Sequence, residues 1–532
     1  MTQWARAPQN RDQLTLFTHR LDDALPASHT VRLLDEILGR IDWSLWESHY
    51  NGRLGQPPIH PRVLAGALLY GLLMRIRSSR ALEDAVRVRI DFRWLVEGRT
   101  IDHTTLSEFR RCHAEALQNL FVQIGLIARG LGFLSLERLA FDGTRVRANN
   151  RRSGTRSEAD LHRMQAELKQ KFVELEARAA AEDDRDDETF GGDSVPELPA
   201  ELTDVRRRLA EVDAALAELE RVKQSGETVP SRLPLTDPQS RVTPNKDGGF
   251  APNYTPLATV DVASGLIVSA DVIAMTNEEQ HLVPAILDVQ EQFSLSVPPP
   301  EMLSDGMMCS GANLAALEEL GVTLYSPIET PDPANPALRD DPRQPVPPEQ
   351  WERLPRQIVR PRGGEKQPQL TKAAFVYDEE EGGYWCPQGQ KLVHRQTTSE
   401  RTPGGQVVRA RYVADAAACA ECPLRHLCLQ AGAKQRQISR DQHESHRQRH
   451  AQRMATPEAQ AKYAQRRHPG ERPFAMIKHH FGARRFLLRG LRQVTTEWRW
   501  LATAFNLQRL MSLMRSRAGP EAAGSFFIPN PL

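Results

Sequence analysis

The chain has 532 residues, of which 40% are hydrophobic and 26% are charged, and its formal net charge is +1. A chain of this length exceeds what one hydrophobic core usually serves, so we expect about three domains. The sequence has no uninterrupted apolar run of about 18 residues, which argues against a transmembrane helix. Its first residues lack the apolar segment of a signal peptide. We therefore expect a cytoplasmic protein with no membrane partner.

The near-neutral total charge conceals an uneven distribution. Between Lys434 and Arg517 there are 19 Lys or Arg residues and 5 Asp or Glu residues, whereas acids accumulate at positions 182–188. An excess of basic residues of this size is typical of a surface that binds a polyanion such as nucleic acid. The alternative is a solvated cationic face without a partner.

Residues 1–135 are predicted to form an all-helical N-terminal domain. Apolar residues recur every three or four positions in VLAGALLYGLLM and in ALQNLFVQIGLIARGLG, and turn-forming stretches such as NGRLGQPPIHP separate such segments. Compact helical domains with scattered arginines often bind DNA, although many serve only in packing. The arginines of this domain include Arg75, Arg77, Arg80, Arg110 and Arg111.

Residues 136–156 and 236–330 are predicted to form two parts of an α/β core. The first part alternates apolar and polar residues, as in a strand, and contains Asp142. The second part shows two consecutive strands, a helix, a short strand ending near Asp305, another helix and a further strand. Alternating strands and helices of this kind predict a mixed sheet covered by helices.

Two insertions and a helical end complete the predicted organisation. Residues 157–235 carry apolar residues at steps of three and four, which predict a coiled coil or an antiparallel helical hairpin, formed within the chain or with another subunit. Residues 331–440 open with a proline-rich linker and contain most of the cysteines. Helices return in residues 441–532. The seam positions of the first insertion are Leu202, Val205, Leu209, Val212, Leu216 and Leu219.

The cysteines suggest a metal site, because six cysteines are too few for a disulfide scaffold in so long a chain. Four of them lie in the second insertion, at Cys386, Cys419, Cys422 and Cys428. Four thiolates are the ligand set of a closed, structural Zn²⁺ site, and His426 is an alternative ligand. The alternative interpretation is four unrelated cysteines.

Asp142 and Asp305 form a second candidate site. Each is predicted at or near a strand, and each is followed directly by glycine. Carboxylates on neighbouring strands of one sheet can converge on hard divalent cations. Two such ions can activate water and stabilise the leaving oxygen of a phosphoryl displacement. An Asp-Gly step also occurs in ordinary turns, so this pair alone does not establish a site.

Residues 463–478, YAQRRHPGERPFAMIK, contain the single acid Glu471 among basic residues. Considered alone, Glu471 is explained by a surface ion pair of little energetic weight. Considered with Asp142 and Asp305, it is a candidate third carboxylate.

The pattern FDGT…SDG…Y-x3-R-x3-E-x6-K resembles the DDE transposases of bacterial insertion sequences, in the branch with the Y-R-E-K signature. It is most similar to the group named after insertion sequence eleven-eighty-two. The resemblance covers almost the whole chain. It includes GQPPIHPRVLAGALLYGLLMRIRSSRALEDA and DHTTLSEFR, which resemble the family's helical N-terminal domain, and the late cysteine cluster, which resembles its insertion.

The resemblance implies an RNase H-like α/β core and a metal-dependent enzyme that cuts and joins DNA. Asp142, Asp305 and Glu471 would hold two Mg²⁺ or Mn²⁺ ions. The residues implied to contact DNA near the cleaved phosphate are Tyr463, Arg467 and Lys478, with Arg466 as an alternative to Arg467. Double-stranded DNA would be the partner, as terminal inverted repeats and as target, and a homodimer is expected in the DNA complex.

Two alternatives to an active transposase stay open. One is an inactive or domesticated copy that still recognises transposon ends but no longer cuts them. The other is an RNase H-like nuclease that cleaves DNA without joining it. The three acids and the signature residues favour the active enzyme.

The sequence departs from the family pattern at two places. Met307 and Met308 follow the second Asp-Gly step where the family usually has an aromatic residue, which leaves the local packing uncertain. Pro469 and Pro473 flank Glu471, and proline removes a backbone donor and clashes with the preceding turn. We therefore predict that no continuous helix spans the stretch and that a helix begins near Glu471, with Pro473 in its first turn.

Overall fold

The computed structural model describes residues 20–51, 57–150, 154–190, 200–245, 248–275, 277–330, 332–360, 366–402, 405–430 and 432–518. At residues 179–190, 200, 402 and 518 only the backbone is described. No helix within these ranges is long and apolar enough to cross a membrane.

The first described part of the chain is helical. Pro61 begins the third helix, where its missing N–H costs nothing, and nearly every residue of that helix is buried, as expected for a helix surrounded by others. The helices are α1 (Thr30–Leu38), α2 (Ser44–Glu47), α3 (Pro61–Leu73), α4 (Ser79–Val88), α5 (Ile90–Leu95), α6 (His103–Cys112) and α7 (Ala114–Gly130).

A mixed sheet follows, with the spatial order β7-β6-β1-β8-β9. Strand β1 pairs antiparallel with β6 and parallel with β8, and β8 pairs parallel with β9. The start of β6 also pairs with β2 and β5. The strands are β1 (Arg138–Gly143), β2 (Val146–Arg147), β3 (Thr155–Arg156), β4 (Leu233–Pro234), β5 (Arg241–Pro244), β6 (Phe250–Asp261), β7 (Ile267–Ile273), β8 (Glu301–Leu303) and β9 (Thr323–Tyr325).

An antiparallel helical hairpin, α8 (Glu158–Phe190) and α9 (Ala200–Ser225), projects between β3 and β4. Its ion pair between Lys223 Nζ and Glu158 Oε1, at 2.6 Å, joins the end of α9 to the start of α8. The apolar seam is filled within the chain, because leucines and valines of both helices share one buried cluster. The connecting residues 191–199 lie outside the described residues, whereas the acidic positions 182–188 belong to the backbone of α8.

Helices α10 (Leu282–Gln292) and α11 (Gly311–Glu319) cover the sheet between its later strands. The last helices are α14 (Glu444–Met454), α15 (Pro457–Ala464), α16 (Arg467–Ala475) and α17 (Leu491–Ala518). The intervening helices of the cysteine-containing insertion are α12 (Ala416–Ala420) and α13 (Arg425–Cys428).

Helix α17 joins the sheet to the N-terminal helices in one hydrophobic core. Its Trp498 indole donates a hydrogen bond to Leu257 O in β6 at 3.0 Å. Its Trp500 indole donates to Arg110 O in α6 at 3.1 Å. Because both rings are buried, these bonds fix the position of α17 between the two layers.

The second insertion has a sheet and a hydrophobic cluster of its own. Five strands pair antiparallel in sequence order from β12 to β16, and β10 pairs with β11. The strands are β10 (Arg356–Val359), β11 (Gln367–Leu370), β12 (Val376–Asp378), β13 (Gly383–Trp385), β14 (Lys391–Thr402), β15 (Gly405–Val413) and β16 (Gln437–Asp441).

The prediction of a helix beginning near Glu471 is wrong. Helix α16 begins at Arg467 and carries Pro473 in its interior, so Glu471 lies in the middle of the helix. The break in the stretch falls earlier, between α15 and α16. After Pro473 the helix widens into a π-helical turn at Met476–His480. This wider turn absorbs the distortion that an interior proline introduces.

Candidate active site

The site lies at the edge of the mixed sheet where parallel strands end. Ala140 in β1 pairs with Leu303 in β8, and the two candidate aspartates lie two residues beyond these partners, at Asp142 and Asp305. Parallel strands present their carboxyl ends at the same edge, so the two carboxylates share it. The sequence prediction placed Asp142 within a strand and Asp305 near the end of another, and the structure pairs these two strands directly.

Asp142 is held by its own backbone and by one arginine. The Gly143 N–H donates to Asp142 Oδ1 at 2.9 Å, and Arg466 Nη2 lies 3.2 Å from the same oxygen. The side chains of Asp142 and Arg466 are 17% and 18% exposed. The Nε of Arg466 is buried and has no acceptor among the described residues. This guanidinium therefore retains a donor for a further oxygen.

Asp305 lies two residues after β8 and caps a short 3-10 helix. Its Oδ1 accepts a hydrogen bond from Met307 N at 3.0 Å, and its carbonyl accepts one from Ser326 Oγ at 2.5 Å. Met308 is buried, whereas Met307 is 61% exposed. One of the two methionines thus fills the core beside the site and the other faces solvent.

The structure adds Glu278, which the sequence analysis did not identify. Its carboxyl group lies against the backbone of Gly143, since a Cβ added at position 143 would come within 2.4 Å of Glu278 Oε2. Burial, together with the negative charges of Asp142 and Asp305, raises the pKa of Glu278 to about 7. Three carboxyl groups are therefore crowded at this edge.

The sequence contains a signal for an acid at the position of Glu278, but this signal does not select Glu278 alone. Strand β7 runs in the same direction as β1, because both pair antiparallel with β6. An acid shortly after β7 is thus expected at the same edge as Asp142. Glu278 and Glu279 both satisfy this condition, and the pattern alone does not choose between them.

Glu471 lies on α16, beside the site. Gly470 is the residue of α16 that faces the aspartate, because a Cβ added there would be 3.7 Å from Asp142 Oδ2. Glu471 is exposed, and no hydrogen bond or ion pair is recorded for it among the described residues. The structure thus gathers Asp142, Asp305 and Glu278, and leaves Glu471 on the solvent side of the neighbouring helix.

The signature residues occupy three kinds of environment. Lys478 Nζ donates to Thr144 Oγ1 at 2.6 Å and to Arg145 O at 2.8 Å, which ties it to the segment after β1. Tyr463 is partly buried against a small hydrophobic cluster under the sheet edge. Arg467 is exposed on α16. Of the two neighbouring arginines, Arg466 is the one that contacts Asp142.

The donor set fits a divalent cation by its chemistry, because carboxylate oxygens are the ligands that Mg²⁺ and Mn²⁺ prefer. The arrangement is not that of a formed metal site. In the described ranges, no group of three or more His, Cys, Asp or Glu side chains is placed so that it could hold an ion together.

The four cysteines of the second insertion line one small cavity of about 30 Å³. The N–H of Gln390 points to Cys386 Sγ at 3.3 Å, and burial raises the pKa of the Cys428 thiol to about 12. The described cysteines form no disulfide. His426 is exposed and its Nδ1 lies 3.1 Å from Pro423 O, so its ring is turned to its own loop.

Two of the N-terminal arginines serve in packing. Arg77 is mostly buried and donates to Gly482 O, Arg485 O and Glu497 Oε1 at 2.7 to 2.9 Å. Arg110 donates to the backbone of Arg77, and burial lowers its pKa. Their guanidinium groups hold the N-terminal helices to the C-terminal part of the chain, so they are withdrawn from the surface that could meet DNA.

Comparison with known proteins identifies two domain families. Residues 385–511 match the family described as Transposase DDE domain, and residues 19–112 match the one described as Transposase domain (DUF772). No curated protein matches the chain. The two matches are consistent with a DDE transposase of an insertion sequence, and the first implies an RNase H-like α/β core. The matched ranges include Glu471 but neither Asp142 nor Asp305.

Proposed function

We propose that the chain is a DDE transposase that binds the terminal inverted repeats of its insertion sequence and cuts and joins DNA strands. One observation carries the proposal: Asp142 and Asp305 end neighbouring parallel strands in a chain that matches two transposase domain families. Transposition acts on double-stranded DNA, and the basic C-terminal part supplies the charge that holds a phosphate backbone.

Asp142, Asp305 and Glu471 would hold Mg²⁺ or Mn²⁺. Bound ions of this kind activate water and stabilise the leaving oxygen of a phosphodiester. Arg466 orients the Asp142 carboxylate through its Nη2 contact with Asp142 Oδ1. Lys478 braces the segment after β1 and adds positive charge beside it.

Glu278 is the second candidate for the third carboxylate. It is favoured by its contact with Gly143 and by its proximity to both aspartates. Glu471 is favoured by the signature spacing and by its position on α16, one residue from Gly470. The two assignments predict different outcomes when each glutamate is replaced separately.

The test measures cleavage of a duplex that contains the DNA flanking the gene, with Mg²⁺ and the full chain. Asp142→Asn and Asp305→Asn are expected to lower the cleavage rate about ten-thousandfold, equivalent to about 5.4 kcal/mol of barrier at 1.36 kcal/mol for each factor of ten. DNA binding should persist in both variants. A wild-type rate in either aspartate variant would refute the proposed site.

Glu471→Gln and Glu278→Gln then identify the third acid, with Glu279→Gln as the matched control. A rate loss comparable to that of the aspartate variants is expected for Glu471→Gln. If Glu278→Gln alone shows that loss, the third position belongs to Glu278. The control is expected to cleave at the wild-type rate.

The alternative function is an inactive or domesticated protein that binds transposon ends. The exposed position of Glu471, without a hydrogen bond or ion pair among the described residues, favours it. In that case the wild-type chain would bind the flanking duplex without cutting it. A nuclease would instead cut the duplex and leave the ends unjoined, which a strand-transfer assay with a target plasmid distinguishes.

Two further assignments belong to this proposal. The four cysteines would hold a structural Zn²⁺, because they line one cavity and supply a soft ligand set. Among the described residues, no three of them are already placed to hold an ion together. Metal analysis should find about one zinc per chain, absent from Cys422→Ser. The protein acts as a homodimer on DNA, because two transposon ends must be cut together.

A further inference from the structure

The hairpin of β14 and β15 extends beyond the sheet that carries it. Strand β13 pairs with β14 only at Lys391 and Leu392. Strand β16 pairs with β15 only from Arg409 onward. Residues 394–401 and 406–411, which we call the ribbon, therefore include a section in which β15 is the only strand paired with β14. Gln442, directly after β16, covers part of the outer edge of β15 by hydrogen bonds with Val408 and Gln406.

The ribbon has no face packed on a core. Every residue from 394 to 401 is exposed, and on the opposite strand only Val407 and Ala410 are half-buried. A two-stranded hairpin without a buried face is marginally stable in water. At about 3.4 Å per residue the eight residues 394–401 span about 27 Å. This polar surface is open along β14, whereas Gln442 contacts the β15 strand through hydrogen bonds with Val408 and Gln406.

The charge of the ribbon is predominantly positive. It contains four arginines and one acid, Glu400. Arg409 pairs with Glu400 at 3.1 Å. For the other three, Arg395, Arg401 and Arg411, no ion pair is recorded in the described part of the chain. The side chains between them are mostly hydroxyls and amides, at Gln396, Thr397, Thr398, Ser399 and Gln406.

The arginines are distributed over both faces of the ribbon. Residues paired across an antiparallel ladder lie on the same face, and neighbours along a strand lie on opposite faces. Arg411 pairs with Gln396, and Arg401 pairs with Gln406. Positions 396 and 401 differ by an odd number, so Arg411 and Arg401 lie on opposite faces.

We infer that the ribbon is a DNA-binding surface that enters a groove of duplex DNA. This inference rests on the proposed function and assigns part of its substrate contact to the second insertion. The major groove, about 12 Å wide, admits a two-stranded ribbon. Guanidinium groups on both faces reach the two phosphate strands that border a groove, and the hydroxyls and amides contact phosphates or base edges.

The composition favours DNA over a protein partner. Protein interfaces are centred on aromatic or other large apolar anchors, and the described residues of the ribbon contain no Phe, Tyr, Trp, Leu, Ile or Met. The competing occupant is a second copy of this chain, because the outer edge of β14 is unpaired beyond Leu392 and exposed strand edges can pair with one another.

The test compares two triple variants of the full chain. One replaces Arg395, Arg401 and Arg411 by Ser. The control makes the same charge change on the helical hairpin, with Arg178→Ser, Arg206→Ser and Arg208→Ser, where the three arginines are also exposed. Binding is measured over a range of salt concentrations on a random-sequence duplex of about 30 base pairs, three helical turns.

The ribbon variant is expected to bind DNA more weakly. The slope of log K against log salt should decrease in magnitude by about 2 to 3, because each phosphate that the protein no longer neutralises removes about 0.9 from the slope. The control should retain the wild-type slope. Replacing the same three arginines by Lys should restore most of the slope, because the charge is kept, and this separates the removal of charge from misfolding.

Equal slopes for the ribbon variant and the control would overturn the inference and leave the proposed function intact, because the wild type still binds DNA. A wild type that binds no duplex would refute the proposed function and the inference together. A ribbon variant that changes its oligomeric state in light scattering, with an unaltered salt slope, would assign the ribbon to a second copy of the chain.

Discussion

Two acid–arginine pairs in this protein have opposite character. At the junction between the N-terminal helices and the C-terminal part, Glu497 accepts bonds from Arg77 at 2.7 Å and from the backbone N–H groups of Leu487 and Leu488. At the sheet edge, Asp142 meets Arg466 at 3.2 Å, and Arg466 Nε has no described acceptor.

The difference lies in how fully each charge is satisfied. The buried carboxylate of Glu497 has donors on both oxygens, so the junction pair is complete within the protein. The sheet edge instead crowds Glu278 and Asp305 near Asp142, with a donor left over. An ion pair whose atoms are all hydrogen-bonded within the protein stabilises the fold. Crowded carboxyl groups beside a donor without an acceptor are instead typical of a site that binds a ligand.

The largest effect on stability is expected at the junction. Arg77→Ala would leave Glu497 buried without its cation, and breaking a buried pair in this way costs about 3 to 5 kcal/mol. Urea denaturation measures the loss. Arg80→Ala is the control, since Arg80 is exposed on the neighbouring helix α4 and should change stability by less than about 0.5 kcal/mol. Equal losses in the two variants would contradict the assignment of Arg77 as a packing residue.

A smaller effect of opposite sign is expected at the sheet edge. Burial and the two aspartates oppose the ionisation of Glu278, whose pKa is raised to about 7. At a pH above 7, where this group is ionised, Glu278→Gln removes that charge, so the free energy of unfolding without added metal should rise by about 1 kcal/mol. Glu279→Gln, at the adjacent position, should leave it unchanged. If Glu278→Gln lowers the free energy of unfolding in the same urea assay, the carboxyl groups at the sheet edge stabilise the fold, as the Arg77–Glu497 pair does at the junction.

The smallest effect is expected at Asp237, a third buried acid, and it depends on pH. Burial raises the pKa of Asp237 above 3.8, so the folded state holds its proton more tightly than the unfolded state. This contribution to stability is present at low pH and is lost as pH rises through the folded pKa. The stability of Asp237→Asn relative to wild type should therefore increase as pH rises from about 4. If the melting temperatures of wild type and Asp237→Asn change with pH in parallel, the raised pKa of Asp237 is contradicted.

The sequence predicted the sheet better than the details of the site. The alternating pattern around Asp142 and the glycine turn after β6 are local features, and the structure confirms strands at both places. Glu278 was missed because its role depends on β7 running parallel to β1, which no local pattern records. The sequence left DNA binding and packing open for Arg77, because its partner Glu497 is 420 residues away.

The helix at Glu471 shows the limit of a rule applied locally. Proline inside a helix removes a hydrogen bond and clashes with the preceding turn, which predicted a helix start at this position. The packing of Pro473 and Phe474 in the core keeps the segment helical, and the π-helical turn accommodates the strain. Tertiary burial thus outweighed the local preference.

The position of α17 has a consequence for the order of folding. The helix that supplies Trp498 to the sheet and Trp500 to α6 is the last described element of the chain. During synthesis, the sheet and the N-terminal helices emerge from the ribosome with these matching apolar surfaces still uncovered. Contacts between distant parts of a chain close slowly, so the sheet and the N-terminal helices depend on α17 to cover these surfaces.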